Sequence, residues 1–321
     1  MQADSARELK ARILTHVRAL PGAREVRAEV PRVAVGLAPA GRGVRVAVRL
    51  ERARDRSLLP DLGAAAGREL DVRAIGRTRA LTRFEPGDLQ RRVRPLRPGA
   101  SVAHPSVTAG TLGGFVRVGG RLAILSNNHV LAAGDAASVG DPVLQPGPYD
   151  DGALHDRVAT LRTFPHFCGE RPNLIDAATA VLDAGVGAEP GRLPGGALTG
   201  VVPLSAEIDP GELVEKLGRT TGHTRGRISA VEVDGVAVQY DSLSSPQGVH
   251  TFDDQLEVEG LTGAFSAGGD SGSVIWRSAD RAPLGLLFAG SQTGGRSGGG
   301  VTFAHPLATV LAALEAEWVS S

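Results

Sequence analysis

From about residue 101 to residue 306 the chain is written as short apolar runs cut off by Gly, Pro or Asp. Gly114–Val118, Arg121–Leu125, Val158–Leu161, Ala178–Leu182, Arg227–Val233 and Leu284–Ala289 are examples. Runs of this length are too short for core helices, and their regular spacing predicts an all-β sandwich or barrel. The composition agrees: 43 Gly and 20 Pro against 12 aromatic residues suit strands and turns, not a helical bundle. With 42% hydrophobic residues the chain can bury a full core, which excludes a disordered protein. A Gly- and Pro-rich stretch, Gly185–Val202, divides the region into halves. After it, Leu307, Val310, Leu311 and Leu314 within Pro306–Trp318 predict an amphipathic C-terminal helix.

The first hundred residues differ in pattern and in charge. Basic and acidic residues balance at 35 and 35 overall. Residues 1–100 nevertheless carry 22 basic and 11 acidic side chains, and residues 101–321 carry 13 and 24. The shift falls near Arg94–Ala100, whose two prolines and glycine read as a linker. We therefore divide the chain into a module over 1–98 and a second over 99–321. In the first, Ser5 is placed to cap a helix with apolar positions Leu9, Ile13, Leu14, Val17 and Leu20. Val33–Leu37, Val44–Leu50 and Leu70–Ile75 read as strands, and Leu58–Ala66 as a short helix. The order α-β-β-α-β makes this a small α+β unit. The charge split suggests a basic module held to an acidic one, within one chain or between neighbours in a homo-oligomer.

Three segments carry chemistry. ILSNNHVLA places His129 in a polar turn after a strand, PNLIDAATAVL places Asp176 among small and apolar residues, and FSAGGDSGSVIW places Ser271 in a Gly-rich loop. A serine hydroxyl is a weak nucleophile until a base takes its proton. Imidazole can accept that proton near neutral pH and return it to the leaving amine. A buried carboxylate fixes the tautomer of the imidazole and steadies the imidazolium. The tetrahedral intermediate then needs N–H donors. Gly269, without a side chain, can turn its N–H toward the same point as that of Ser271.

GDSGS downstream of NNHVLA and IDAA resembles the trypsin/chymotrypsin-like serine peptidases. SVAHPSVTAGTLGGFV, GDPVLQPGPYDDG and KLGRTTGHTRG narrow the likeness to a bacterial group with a non-protease N-terminal module, related to the plant narrow-leaf-type proteases. The resemblance implies a mainly β, double antiparallel β-barrel, with barrels over about 99–195 and 196–305 and a helix over 306–318. It implies a Ser271–His129–Asp176 triad, an oxyanion hole from Gly269 and Ser271, and a substrate pocket with Phe265 at its base and Gly290 and Gly300 on its walls. An apolar base predicts cleavage after small-to-medium apolar residues of a protein or peptide substrate. No cofactor and no metal are implied.

The same residues admit other readings. Ser271 has the bland reading of a turn serine, and His129 that of a turn residue or metal ligand. Asp183, Asp135 and Asp141 compete with Asp176 for the carboxylate role. His166 and Cys168 form an H-x-C pair with no second pair at zinc spacing. His223 falls on an expected hairpin, and Gly294–Gly295 with Gly298–Gly300 lack the Lys-Ser/Thr of a phosphate loop. The Arg-rich stretches Arg52–Arg56 and Arg91–Arg97 have no stacking aromatics beside them, so nucleic acid is not an expected partner. Met1–Leu20 is charged throughout and does not read as a signal peptide. No 18-residue apolar stretch exists, so no membrane role is expected. Together with a single cysteine, these points give a cytoplasmic expectation. The competing function is a pseudoprotease or scaffold whose basic N-terminal module recruits a partner. A quality-control protease similar to the high-temperature-requirement group would carry a C-terminal peptide-binding module, which is not seen here.

Overall fold

A computed structural model of the chain describes residues 1–20, 33–41, 43–60, 69–78, 87–203, 206, 208–240, 248–295 and 298–320. Helix α1 (Ala3–Arg18) buries Ala6, Leu9, Ile13, Leu14 and Val17, a stripe at i, i+3/i+4 spacing. It begins at Ala3, two residues before the expected cap; Ser5 lies in its first turn and Gln2 is the N-cap, without a side-chain bond. Tertiary pairing sets the start instead. The Met1 amine donates to the Val44 carbonyl and the Val44 N–H to the Met1 carbonyl, both at 3.1 Å. The stripe lies on an antiparallel hairpin, β1 (Val33–Ala40) and β2 (Gly43–Leu50), and β3 (Leu70–Ala74) joins β2 in parallel. A 3-10 turn, Ala53–Leu58, precedes the region read as a helix, of which residues 61–66 lie outside the described residues.

The expected double barrel follows. A ribbon of β4 (Ser101–Val102) and β5 (Gly110–Thr111) leads into β6 (Gly114–Val118) and β7 (Arg121–Ser126). The one-turn helix α2 (Asn128–Leu131) and strands β8 (Pro142–Leu144), β9 (Arg157–Thr163) and β10 (Ala178–Leu182) complete this half. The second half holds β11 (Leu213–Gly218), β12 (Gly222–Asp234), β13 (Val236–Tyr240), β14 (Gly248–Phe252), β15 (Gln255–Gly260), β16 (Val274–Arg277), β17 (Pro283–Gly290) and β18 (Thr302–Pro306). The order β11-β16-β17-β18-β15-β12 returns from β12 to β11, which closes a six-stranded ring. The hairpin β13–β14 stands beside that ring.

The end of the chain departs from expectation. Helix α3 spans only Leu307–Ala313, and Glu315 takes a φ of 49°. The chain then runs as β19 (Ala316–Val319), which pairs with β6 at the edge of the six-stranded first sheet, in the order β19-β6-β7-β10-β9-β8. Trp318 and Val319 favour a pleated surface, and the free edge of β6 supplies it. Leu307, Val310 and Leu314 share a core with Val116 and Leu125 of the first barrel and Trp276 and Leu286 of the second, so α3 ties the barrels together.

Strand β12 is thirteen residues long and pairs with more than one neighbour. Beyond its barrel contacts it pairs with β1, so β1, β2 and β3 extend the second sheet to nine strands. Gly36 allows the approach: a Cβ there would lie 2.9 Å from the Val231 carbonyl. Ile13, Val35 and Val48 share one core with Val214, Ile228 and Ile275. Charge follows the same seam. Arg7–Glu232, Lys10–Asp234, Arg18–Asp253, Arg49–Glu257, Arg73–Glu259 and Arg92–Asp156 each take the cation from residues 1–98. The expected linker is itself ordered, with Leu96 donating to the Gly187 carbonyl and accepting from the Glu189 N–H, both at 2.8 Å. No helix among the described residues is long and apolar enough to cross a membrane.

Candidate active site

Strand register brings His129 and Asp176 together across 47 residues of sequence. β7 ends at Ser126 and β10 begins at Ala178, and these two residues are partners in the β7–β10 ladder. The chain after β7 turns through Asn127 into α2, which carries His129, while Asp176 sits just before β10. His129 donates twice to the carboxylate: its backbone N–H to Oδ1 at 3.1 Å and its ring Nδ1–H to Oδ2 at 2.5 Å. A carboxylate only accepts, so Nδ1 carries the hydrogen and Nε2 is left free to take a proton.

Asp176 is fully buried and held on every side. Asn127 Nδ2 donates to its carbonyl at 2.6 Å, and the Tyr240 hydroxyl donates to Oδ2 at 2.8 Å. Its own N–H donates to His305 Nε2 at 2.9 Å, while His305 Nδ1 faces Gln255 Oε1 at 2.6 Å. Burial alone would raise the Asp176 pKa; the charge and hydrogen bond of His129, with smaller help from the Tyr240 hydroxyl, hold it below the usual carboxylate range. Burial takes His305 down to about 3, so it stays a neutral ring that accepts at one nitrogen and donates at the other.

Ser271 follows a turn over Ala267–Asp270 closed by the Asp270 N–H on the Ala267 carbonyl at 3.0 Å. Gly269 occupies its third position with φ 88°, the form of a type II turn, which needs glycine there. The central peptide is pinned. Thr220 Oγ1 donates to the Gly268 carbonyl at 2.6 Å, and Thr111 Oγ1 to the Gly269 carbonyl at 2.8 Å. A trans peptide sets its C=O and N–H on opposite sides, so fixing the first aims the second away from Thr220. Among the described residues neither the Gly269 nor the Ser271 N–H has a protein acceptor, although both residues are buried. Buried donors of that kind are rare and face a ligand where a site uses them.

Asp270 anchors the turn from below. It accepts from the Thr220 and Thr221 N–H groups at 2.9 and 3.2 Å and from Thr221 Oγ1 at 2.6 Å. The Lys216 ammonium lies 3.3 Å from Oδ2, with both side chains fully buried. Burial lowers the Lys216 pKa, and Asp270 offsets only part of that.

Short links join the serine to the other pair. The Ser271 carbonyl accepts from the Thr111 N–H at 2.8 Å, and the Thr111 carbonyl accepts from Ser126 Oγ, three residues before His129, at 2.7 Å. Ser271 Oγ itself donates to the Phe288 carbonyl at 3.4 Å, and the Phe288 ring stacks on His305 at 3.8 Å. Among the described residues no hydrogen bond joins Ser271 to His129. Such pairs are often loose until substrate closes them.

The remaining sequence candidates lie as follows. Phe265 is buried in the core shared with β12 and β15, with the Lys216 ammonium 5.7 Å from its ring centre. Gly290 ends β17 opposite Thr302, and Gly300 packs against the Ser291 carbonyl. His223 is the second residue of β12 and pairs with Glu215 at 2.6 Å. Among the described residues no cluster of three or more His, Cys, Asp or Glu could hold a metal. Sequence reading missed Tyr240, His305, Thr220 and Lys216 as parts of the site. One signal was available: Lys216 is one of only two lysines beside 33 arginines.

No family model matches the sequence, and no curated protein matches it. Solved structures do. Thermobifida fusca protease A is 20% identical over 70% of this chain and 100% of its own, with a TM-score of 0.46. Cellulomonas bogoriensis chymotrypsin is 18% identical with the same coverage and a TM-score of 0.44. A Nocardiopsis protease is 20% identical, again over 70% and 100%, with a TM-score of 0.47.

Proposed function

We propose that this chain is a serine endopeptidase, a regulated and site-specific one acting in the cytoplasm. Ser271 Oγ attacks the scissile carbonyl as His129 Nε2 takes its proton. Asp176 holds the imidazole in the required tautomer and stabilises the imidazolium. The N–H groups of Gly269 and Ser271 receive the oxyanion. Collapse expels the amine, protonated by His129, and leaves an acyl-enzyme on Ser271. Water, deprotonated by the same imidazole, then releases the acid. The observation that carries this reading is the pinned type II turn, with two buried, unpartnered N–H groups beside a serine. A fluorophosphonate probe is expected to label Ser271, and Ser271→Ala to abolish labelling. Labelling that survives the substitution overturns the assignment. With Phe265 and the facing glycines as pocket, cleavage follows small-to-medium apolar residues; a peptide-library profile dominated by Arg or Lys contradicts that part alone.

A further inference from the structure

Tyr240 closes β13, outside the barrel ring, yet its hydroxyl reaches the triad carboxylate. It donates to the same oxygen of Asp176, Oδ2, that receives the His129 ring hydrogen. The tyrosine is buried, its ring centre lies 5.4 Å from that of His129, and Phe167 stacks on it at 5.3 Å. Among these packed rings, the one hydrogen bond of its hydroxyl runs to Asp176 Oδ2. Burial and the Asp176 charge raise its pKa well above the ordinary tyrosine value, so it remains a donor at any working pH.

The strand that delivers Tyr240 is held from the N-terminal side. The Gln239 N–H donates to the Thr78 carbonyl at 3.4 Å. Three residues back along that segment, the Ile75 carbonyl accepts from Thr293 Oγ1 at 3.4 Å. Ile75 also shares a core with Val238, Tyr240 and Phe288. Residues 75–78 therefore touch both the strand behind the carboxylate and the loop that follows β17.

We propose that Tyr240 is a positioning residue of the triad: its hydroxyl shares Asp176 Oδ2 with His129 and thereby sets how tightly the carboxylate holds the imidazole. The proposal rests on the protease reading above. Two donors on one oxygen divide its negative charge, so each bond is weaker than it would be alone. Without the phenol, the carboxylate acts on His129 undivided, the imidazolium is favoured, and the free base needed at neutral pH becomes scarcer. The other titratable groups facing this pocket are Asp135, His250 and His305.

The test is an NMR titration of the His129 ring in the full chain, with kcat/KM measured over the same pH range. In Tyr240→Phe the His129 midpoint and the acid limb of kcat/KM both move to higher pH by about half a unit to one unit, and kcat/KM at neutral pH falls about 3- to 10-fold. Replacing tyrosine by 3,5-difluorotyrosine strengthens the donor and moves both in the opposite direction. The only other tyrosine, Tyr149, is exposed at 49%, which keeps that substitution interpretable and covers the case in which Tyr240→Phe fails to fold. A midpoint unmoved in either protein overturns the proposal. The titration needs no turnover, so it is separate from Ser271 labelling, whose failure would overturn the protease reading instead.

Discussion

Two of the cations buried in this molecule behave as opposites. Arg49 lies at the seam between the N-terminal strands and the second barrel, fully buried, with bonds of 2.7 and 2.9 Å to Glu257 and 3.1 Å to Asp71. Lys216 lies by the Ser271 loop, equally buried, with Asp270 as its one carboxylate partner among the described residues. Burial works against both charges. At Arg49, two carboxylates more than compensate and the pKa is raised; at Lys216, one does not, and it is lowered. The guanidinium thus serves as a permanent fastener, while the ammonium can be discharged. The proposed active site is the one left sensitive to pH.

That contrast can be broken experimentally. The largest effect is expected for Lys216→Met, which leaves Asp270 buried and unpaired and frees the turn: kcat falls about 10²- to 10³-fold, the usual cost of losing an oxyanion donor, read by active-site titration. The same lysine sets an alkaline limit. Its protonated form holds the turn, so activity declines as pH rises through a value below the ordinary lysine range; Lys216→Arg retains activity and moves that limit upward. An alkaline limb identical in Lys216→Arg and wild type would remove the switch from Lys216.

Arg49→Met comes next. It strands Glu257 and costs about 3–5 kcal/mol in urea denaturation, while kcat/KM of the folded fraction changes less than about 3-fold. Acid loosens this seam too. Burial would raise Asp71, but Arg49 and Arg73 hold it low. Its contribution is therefore complete above the ordinary carboxylate range and lost as pH falls through the depressed value. The smallest effect belongs to Arg18→Ala, since the exposed Arg18–Asp253 pair at 2.7 Å is worth about 0–1 kcal/mol.

Much of this architecture was legible because strands announce themselves locally. The alternation in Val44–Leu50 and the apolar runs of Ala178–Leu182 and Leu284–Ala289 each became strands within a residue or two of their expected ends. His129, Asp176 and Ser271 stood out through their flanking residues. What escaped depends on distance along the chain. Tyr240 meets Asp176 across 64 residues and His305 across 129, and no local pattern marks either contact. The final turn of the expected C-terminal helix is absent for the same reason: Leu314 continues a helical stripe, but the open edge of β6 draws the next residues into a strand.

The shared strand β12 also sets a timetable. Val35 pairs with Asp234 and Leu37 with Val231. A ribosome adding 5–20 residues per second therefore needs about 10–40 s between making β1 and making its partner. Until then the apolar residues of β1 that share a core with Val214, Ile228 and Ile275 lack those partners. The strands β1 and β2 are thus made long before the strand that shelters them.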